Sequence, residues 1–163
     1  MIILAAAVGR NNELGRESGV PLWDLPDEYW RFRESIVSHP IIIGRKSYDV
    51  IKEPLPDSLN IVITRQKDYD GNGAVVVHTL EEALKVAENK GDVFIIGGGG
   101  IFRLAINIAD RIEISRIEAN FPEATAFFPE FSTDQWRLIS SERHETDERH
   151  AYPFVFEIWE RKR

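Results

Sequence analysis

Short, largely apolar runs rich in β-branched residues recur along this chain, at residues 2–8, 41–43, 61–64, 74–77, 93–96 and 112–117. A strand with one wet face alternates apolar and polar residues. Residues apolar at successive positions suit strands buried on both faces. Segments with helical spacing lie between the runs. Residues 27–37 carry Tyr29, Phe32, Ile36 and Val37 inward. Residues 79–88 open with a capping pattern, Thr79 and then Glu82, and bury Leu80, Ala83, Leu84 and Ala87. Strand and helix in alternation predict an α/β fold with a mainly parallel sheet covered on both sides. The chain's end differs. Tyr152, Phe154, Phe156 and Ile158 recur at period two, as do Trp136 and Leu138, which predicts an antiparallel hairpin at the sheet edge. Linkers, repeats and low-complexity segments are absent from the sequence, and residues 1–163 read as one domain with a full-sized core.

Four consecutive glycines, Gly97, Gly98, Gly99 and Gly100, follow the apolar run at 93–96 and precede Ile101, Phe102, Leu104 and Ala105 at helical spacing. A buried strand that breaks into glycine and then a helix lets backbone approach a ligand and directs N–H groups at an anion. The usual anion there is a nucleotide phosphate. Phe102 stands where a third fingerprint glycine would be, and Gly44-Arg45-Lys46-Ser47 lacks the glycine five residues earlier, so neither named phosphate fingerprint is met. Alone, the glycines suit a tight structural turn equally well.

The formal charge of −7 argues against nucleic acid or an anionic membrane as partner. Without cysteine there are no disulfides and no thiolate zinc sites. The histidines at 39, 78, 144 and 150 show no metal-ligand spacing and read as surface or packing residues, so no metal is expected. The apolar start lacks a basic leader and is too short for a signal or a span, so a cytoplasmic location is expected.

Residues 9–26 form a long irregular stretch with Gly15, Gly19, Pro21, Trp23 and Pro26, which reads as a lid over a site. Glu28 and Phe32, four apart, share a helix face. An acid beside an aromatic ring can anchor a flat heterocycle. Taken alone, a first-turn acid favourable toward the helix dipole explains Glu28 better. Gly44-Arg45-Lys46-Ser47 and Thr64-Arg65 put cations and hydroxyls at two more strand ends. Ligands bind beyond the carboxyl ends of such strands.

These segments, in this order and spacing, resemble the dihydrofolate reductase family over essentially the whole chain. The resemblance rests on Ala5-Ala6-Ala7, Leu14-Gly15, Pro21 with Trp23 and Leu25, and Glu28 with Phe32. It continues through residues 44–48, Pro54-Leu55-Pro56 with Asn60, residues 61–65, residues 96–99 and Phe128-Pro129. It implies a twisted, mostly parallel eight-stranded sheet with about four flanking helices and an antiparallel C-terminal edge. It also implies NADPH-dependent reduction of 7,8-dihydrofolate to tetrahydrofolate. By position, Glu28 would be the pocket carboxylate that binds the pterin, supported by Ser115. Ala5, Ala6, Phe32, Ile51, Leu55 and Ile96 would line the substrate. Arg45, Thr64 and Arg65 would meet the 2′-phosphate. Lys46, Ser47 and residues 98–102 would hold the pyrophosphate, with Ala7, Leu14, Gly15, Gly44 and Gly97 also beside the cofactor. The peptide matching Gly97-Gly98 is cis in this family. Hydride would go to pterin C6, and water under the closed loop would protonate N5.

Some positions depart from the family pattern. Leu22, not Trp, follows Pro21. Ser58 stands where an arginine commonly pairs with the glutamate α-carboxylate. Phe102 replaces a tyrosine, and Ala124-Thr125-Ala126 replaces a Gly-Asp-Thr that helps hold the lid. Two rival readings remain: the riboflavin-pathway aminopyrimidine reductase of the same fold, and a non-catalytic NADPH-binding protein. A monomer is expected.

Overall fold

The computed structural model describes residues 1–51 and 53–163. In chain order its elements are β1 (Ile2–Val8), β2 (Glu13–Gly15), α1 (Pro26–Ile36), β3 (Ile41–Gly44), α2 (Arg45–Ile51), β4 (Asn60–Ile63) and β5 (Val75–Val77). Then come α3 (Leu80–Val86), β6 (Val93–Ile95), α4 (Gly99–Ala105), β7 (Arg111–Ile117), β8 (Ala126–Phe127), β9 (Trp136–His144) and β10 (Phe154–Arg161). Among the described residues, one 8-stranded sheet has the order β5-β4-β3-β6-β1-β7-β10-β9. The six strands from β5 to β7 are parallel, and β10 and β9 close the edge antiparallel.

Burial on both faces explains the apolar runs. Leu4, Val8, Ile42, Ile61, Ile112 and Ile114 face α3 and α4, while Ile3, Ala5, Ile41 and Phe94 pack with Ile36 of α1. Each fully buried Ile or Leu contributes roughly 1.5–3 kcal/mol. Thr79 caps α3 as its spacing predicts, its hydroxyl accepting from the Glu82 N–H at 3.1 Å. From β1 the chain steps over to β3, runs outward to β5, then returns to lay β6 between β3 and β1. That reversal opens a crevice beyond the carboxyl ends of the strands.

Three expectations change. Tyr29 and Val37 of the predicted inward stripe are 47% and 44% exposed. The stripe that docks is Glu28, Phe32 and Ile36, one position over. Tyr29 instead accepts a hydrogen bond from Arg33 Nη1 at 2.8 Å. Leu138 is also exposed, because β9 is the edge strand and every residue from Arg137 to Arg143 is exposed, while the ladder separately slips between Ile158↔Ser140 and Trp159↔Leu138 and leaves Ile139 unmatched. The loop after β1 is not wholly irregular, because β2 within it pairs with β8.

Candidate active site at the carboxyl ends of the strands

Glu28, in the first turn of α1, is only 7% exposed. Pro26 at the helix start fixes where that turn begins. Across from it, Ser115 on β7 is fully buried. Arg31, one helical turn after Glu28, lies with Nη2 3.7 Å from the Glu28 carboxylate and 3.2 Å from Ser115 Oγ. Ser115 thus accepts from Arg31, and its hydroxyl favours the charged form of Glu28. The guanidinium is clamped from beneath by the Phe156 ring, 3.6 Å from its centroid.

Burial pushes the Glu28 carboxyl above its ordinary range, while Arg31 and the Ser115 hydroxyl pull against that. Glu113, two residues before Ser115 and on the same face of β7, is likewise raised by burial and opposed by Arg111 and Arg31. A carboxylate in this setting is set to meet a hydrogen-bond-donating partner edge.

The predicted substrate residues divide. Ala5, Phe32, Leu55 and Ile96 share one apolar cluster under α1. Ala6 faces the opposite side of the sheet, against the α3–α4 core, and Ile51 is 37% exposed at the end of α2. Asn60 fixes the Pro54-Leu55-Pro56 turn. Its Oδ1 accepts from the Leu55 N–H at 2.9 Å, and its Nδ2 donates to the carbonyls of Leu55 and Ser58, each at 2.9 Å. The Ser58 hydroxyl donates to the Ile36 carbonyl at 3.3 Å, so it ties the turn to the end of α1.

On the other side of the crevice the ends of β3 and β6 nearly touch. The Gly44 N–H donates to the Gly97 carbonyl at 2.8 Å, and the Gly97–Gly98 peptide is cis. A Cβ on Gly98 would stand 2.9 Å from Ser47 Oγ, and one on Gly99 2.9 Å from the Phe127 carbonyl. Glycine keeps side chains out of this gap. Ser47 and Ile101 stand beside it, and Arg45 and Lys46 follow Gly44 in the first turn of α2, Arg45 pairing with Asp49 at 2.9 Å. Thr64, at the end of β4, is buried, with Arg65 exposed beside it. The gap and its cations fit a polyanionic nucleotide. Phe102 turns its ring into the core against Phe128, centroids 4.8 Å apart, while its N–H donates to the Gly98 carbonyl at 2.9 Å. Leu14 packs against the α3–α4 core, next to Gly15 in β2, and Ala7 lies against the cluster of Leu25 and Phe121.

Residues 17–20 of the loop line an open groove of about 550 Å³ with Arg45, Lys46, Asp49 and Val50 of α2. The loop is pinned at Glu13, which sequence reading missed. Its buried carboxylate accepts from the N–H groups of Asn11 and Phe121, both at 2.6 Å. Burial works against ionisation there, but the N–H groups of Phe121, Glu13 itself and Asn11 outweigh it and hold the pKa below the ordinary range. Trp23 packs on Phe121 at 5.0 Å and anchors the far end of the loop. Arg31 was missed too, although Glu-x-x-Arg on one helix face was a signal for it.

A buried carboxylate pocket and a glycine-walled anion gap, flanking one sheet crevice under a pinned loop, define an α/β protein that holds a heterocycle beside a nucleotide. The comparisons name the family: the chain belongs to the dihydrofolate reductase family, whose model, "Dihydrofolate reductase", matches residues 1–161. It is 34% identical to a dihydrofolate reductase of Bacillus subtilis over 99% of this chain and 95% of that one. It is 30% identical to that of Haemophilus influenzae over 98% of each. Among solved structures, a dihydrofolate reductase from Enterococcus faecalis complexed with NADP(H) and RAB-propyl superposes with a TM-score of 0.92 at 27% identity, covering 100% of this chain and 97% of that one.

Proposed function

We propose that this chain reduces 7,8-dihydrofolate to 5,6,7,8-tetrahydrofolate with NADPH, acting as a single-domain monomer in the cytoplasm. The observation that carries this reading is the buried Glu28 carboxylate, coupled to Arg31 and Ser115, across the crevice from the Gly44–Gly97 gap. Among the described residues, no helix is long and apolar enough to cross a membrane.

Glu28 takes the pterin edge, one oxygen toward the ring N–H and the other toward the 2-amino group. Arg31 keeps that carboxylate ionised when the pterin covers it. Ala5, Phe32, Leu55 and Ile96 give the ring an apolar seat. Arg45, Lys46, Ser47, Thr64 and Arg65, with the glycine gap, hold NADPH. When bound, NADPH supplies the hydride that pterin C6 accepts. Glu28 binds and polarises the ring without reaching N5. The loop pinned by Glu13 excludes bulk water and leaves a confined water to protonate N5.

The test is NADPH oxidation with dihydrofolate, then with the ribosylated aminopyrimidine of riboflavin synthesis, in the wild type and in Glu28→Gln. Turnover of dihydrofolate that collapses in the variant supports the proposal. Turnover of the pyrimidine alone, or of neither, refutes it.

A further inference from the structure

We propose that Asp27, His144 and Asp147 form a binding site for a divalent transition-metal ion of the zinc class, which clasps the loop between β9 and β10 to the start of α1. The site lies outside the pterin and nucleotide pockets, and its inference does not rest on the reductase reading.

Asp27 is in the first turn of α1, His144 ends β9, and Asp147 follows in the loop. With His150, they place one ligand atom each within 4.8 Å of one another. His144 Nε2 lies 3.1 Å from Asp27 Oδ2 and 3.7 Å from Asp147 Oδ2. Ligands held at roughly 2.0–2.2 Å from one zinc ion stand about 3–4 Å apart.

The hydrogen-bond pattern tells the roles apart. His144 Nδ1 is 2.7 Å from the Glu145 carbonyl oxygen, which can only accept, so Nδ1 carries the hydrogen. With Nε2 unprotonated, its lone pair faces two carboxylate oxygens, an arrangement that either a bound metal cation or a second ring proton neutralises. The ring is held in plane by stacking on Phe154, at 4.7 Å and 10°.

The outer oxygens are already occupied. Asp27 Oδ1 accepts from Arg149 Nη2 at 2.7 Å. Asp147 Oδ1 accepts from the Arg149 N–H at 2.8 Å. His150 is a support, not a ligand. Its Nε2 accepts from the Asp27 N–H at 3.0 Å, so its Nδ1 carries the hydrogen donated to Asp147 Oδ1 at 2.7 Å. Each carboxylate therefore has one oxygen fixed by donors and the other turned to the common point. Metal-ligating histidine and carboxylate are oriented by outer hydrogen bonds in this manner.

An imidazole nitrogen with two carboxylate oxygens suits zinc and its neighbours, whereas Mg²⁺ and Ca²⁺ prefer all-oxygen sets. Three protein ligands leave a position for water. A cavity of about 730 Å³ bounded by Trp23, Asp24 and Tyr152 reaches Asp147 and gives the ion a path in. The sequence concealed the set because Asp27 is remote in the chain, although His144, Asp147 and His150 recur at every third residue.

The experiment is titration of chelator-treated full-length protein with ZnCl₂ near neutral pH, followed by calorimetry and by melting temperature. The expected result is one Zn²⁺ per chain and a higher melting temperature that EDTA reverses. His144→Gln and Asp147→Asn should each weaken binding at least roughly tenfold, as ligand losses do. His39→Gln, remote from the site, should leave it unchanged. Melts in EDTA show that the variants fold. If one does not, the wild-type His144 Nε2 resonance should shift on adding Zn²⁺. Failure to bind Zn²⁺, affinity indifferent to both substitutions, or an unmoved Nε2 resonance would overturn the site, and a proton shared among the three groups would then account for the cluster.

Discussion

The Arg31 guanidinium stands 3.7 Å from the Glu28 carboxylate, one helical turn along α1, and both reach Ser115 of β7. The pocket acid is therefore one end of a polar chain that crosses from helix to sheet. Burial raises the Glu28 pKa, and Arg31 is the largest of the influences that lower it.

Removing that influence should be visible in the titration of Glu28 itself. In Arg31→Gln the carboxyl-carbon NMR midpoint of Glu28 should move up, because desolvation remains and the opposing charge is gone. Affinity for dihydrofolate near neutral pH should fall roughly tenfold. A midpoint that stays in place would mean Arg31 serves packing on Phe156 alone.

Glu28→Gln should separate activity from stability. Turnover should fall at least about 100-fold. Because the folded-state pKa is raised, the native state holds its proton to higher pH than the unfolded chain. Stability is thus lowered above the folded pKa, and the deficit fades as pH falls toward the unfolded value. The variant should melt at or above the wild-type temperature at pH 8 and lose that advantage near pH 4. Calorimetry across this range checks the sign.

Glu13 should behave oppositely. Its folded pKa is depressed, so its contribution is present above the unfolded value and is lost as pH falls through the folded one. Glu13→Gln should cost about 1–3 kcal/mol at neutral pH, because the amide can accept at only one atom and a buried N–H loses its partner. The difference should shrink in acid. Gly9→Ala should do similar harm, since its Cβ would stand 2.6 Å from Glu13 Oε1. Denaturant melts at several pH values report both.

Ser58 offers a hydroxyl where the family resemblance suggests a cation for the substrate's glutamate. Ser58→Arg should lower the KM for dihydrofolate about tenfold, the worth of one charge-assisted hydrogen bond. A pterin without the glutamate tail should show no change. Equal effects on both would point to a general disturbance of the Asn60-held turn.

Much of the sheet was legible because strands buried on both faces leave short, β-branched apolar runs bounded by turn residues, as residues 41–43 and 93–96 show. Phe102 was legible as helix but not as core, since the spacing of Ile101, Phe102 and Ala105 does not say which side the sheet takes. Taken alone, Glu28 looked like an ordinary first-turn acid, and only the family resemblance marked it as the pocket carboxylate. Glu13 looked like an ordinary loop charge, because burial by a distant segment leaves no periodic trace.

The sequence by itself determined the order of the helices and of the main-sheet strands, the glycine break after β6 and the residue types at the strand ends, because periodicity and backbone permissiveness are local properties. Only the tertiary structure decided which stripe of α1 turns inward, that Arg31 shares the pocket with Glu28, and that Glu13 closes the loop onto Phe121. Each of those depends on what water is removed from a charged group, and that is fixed when segments far apart in the chain pack together.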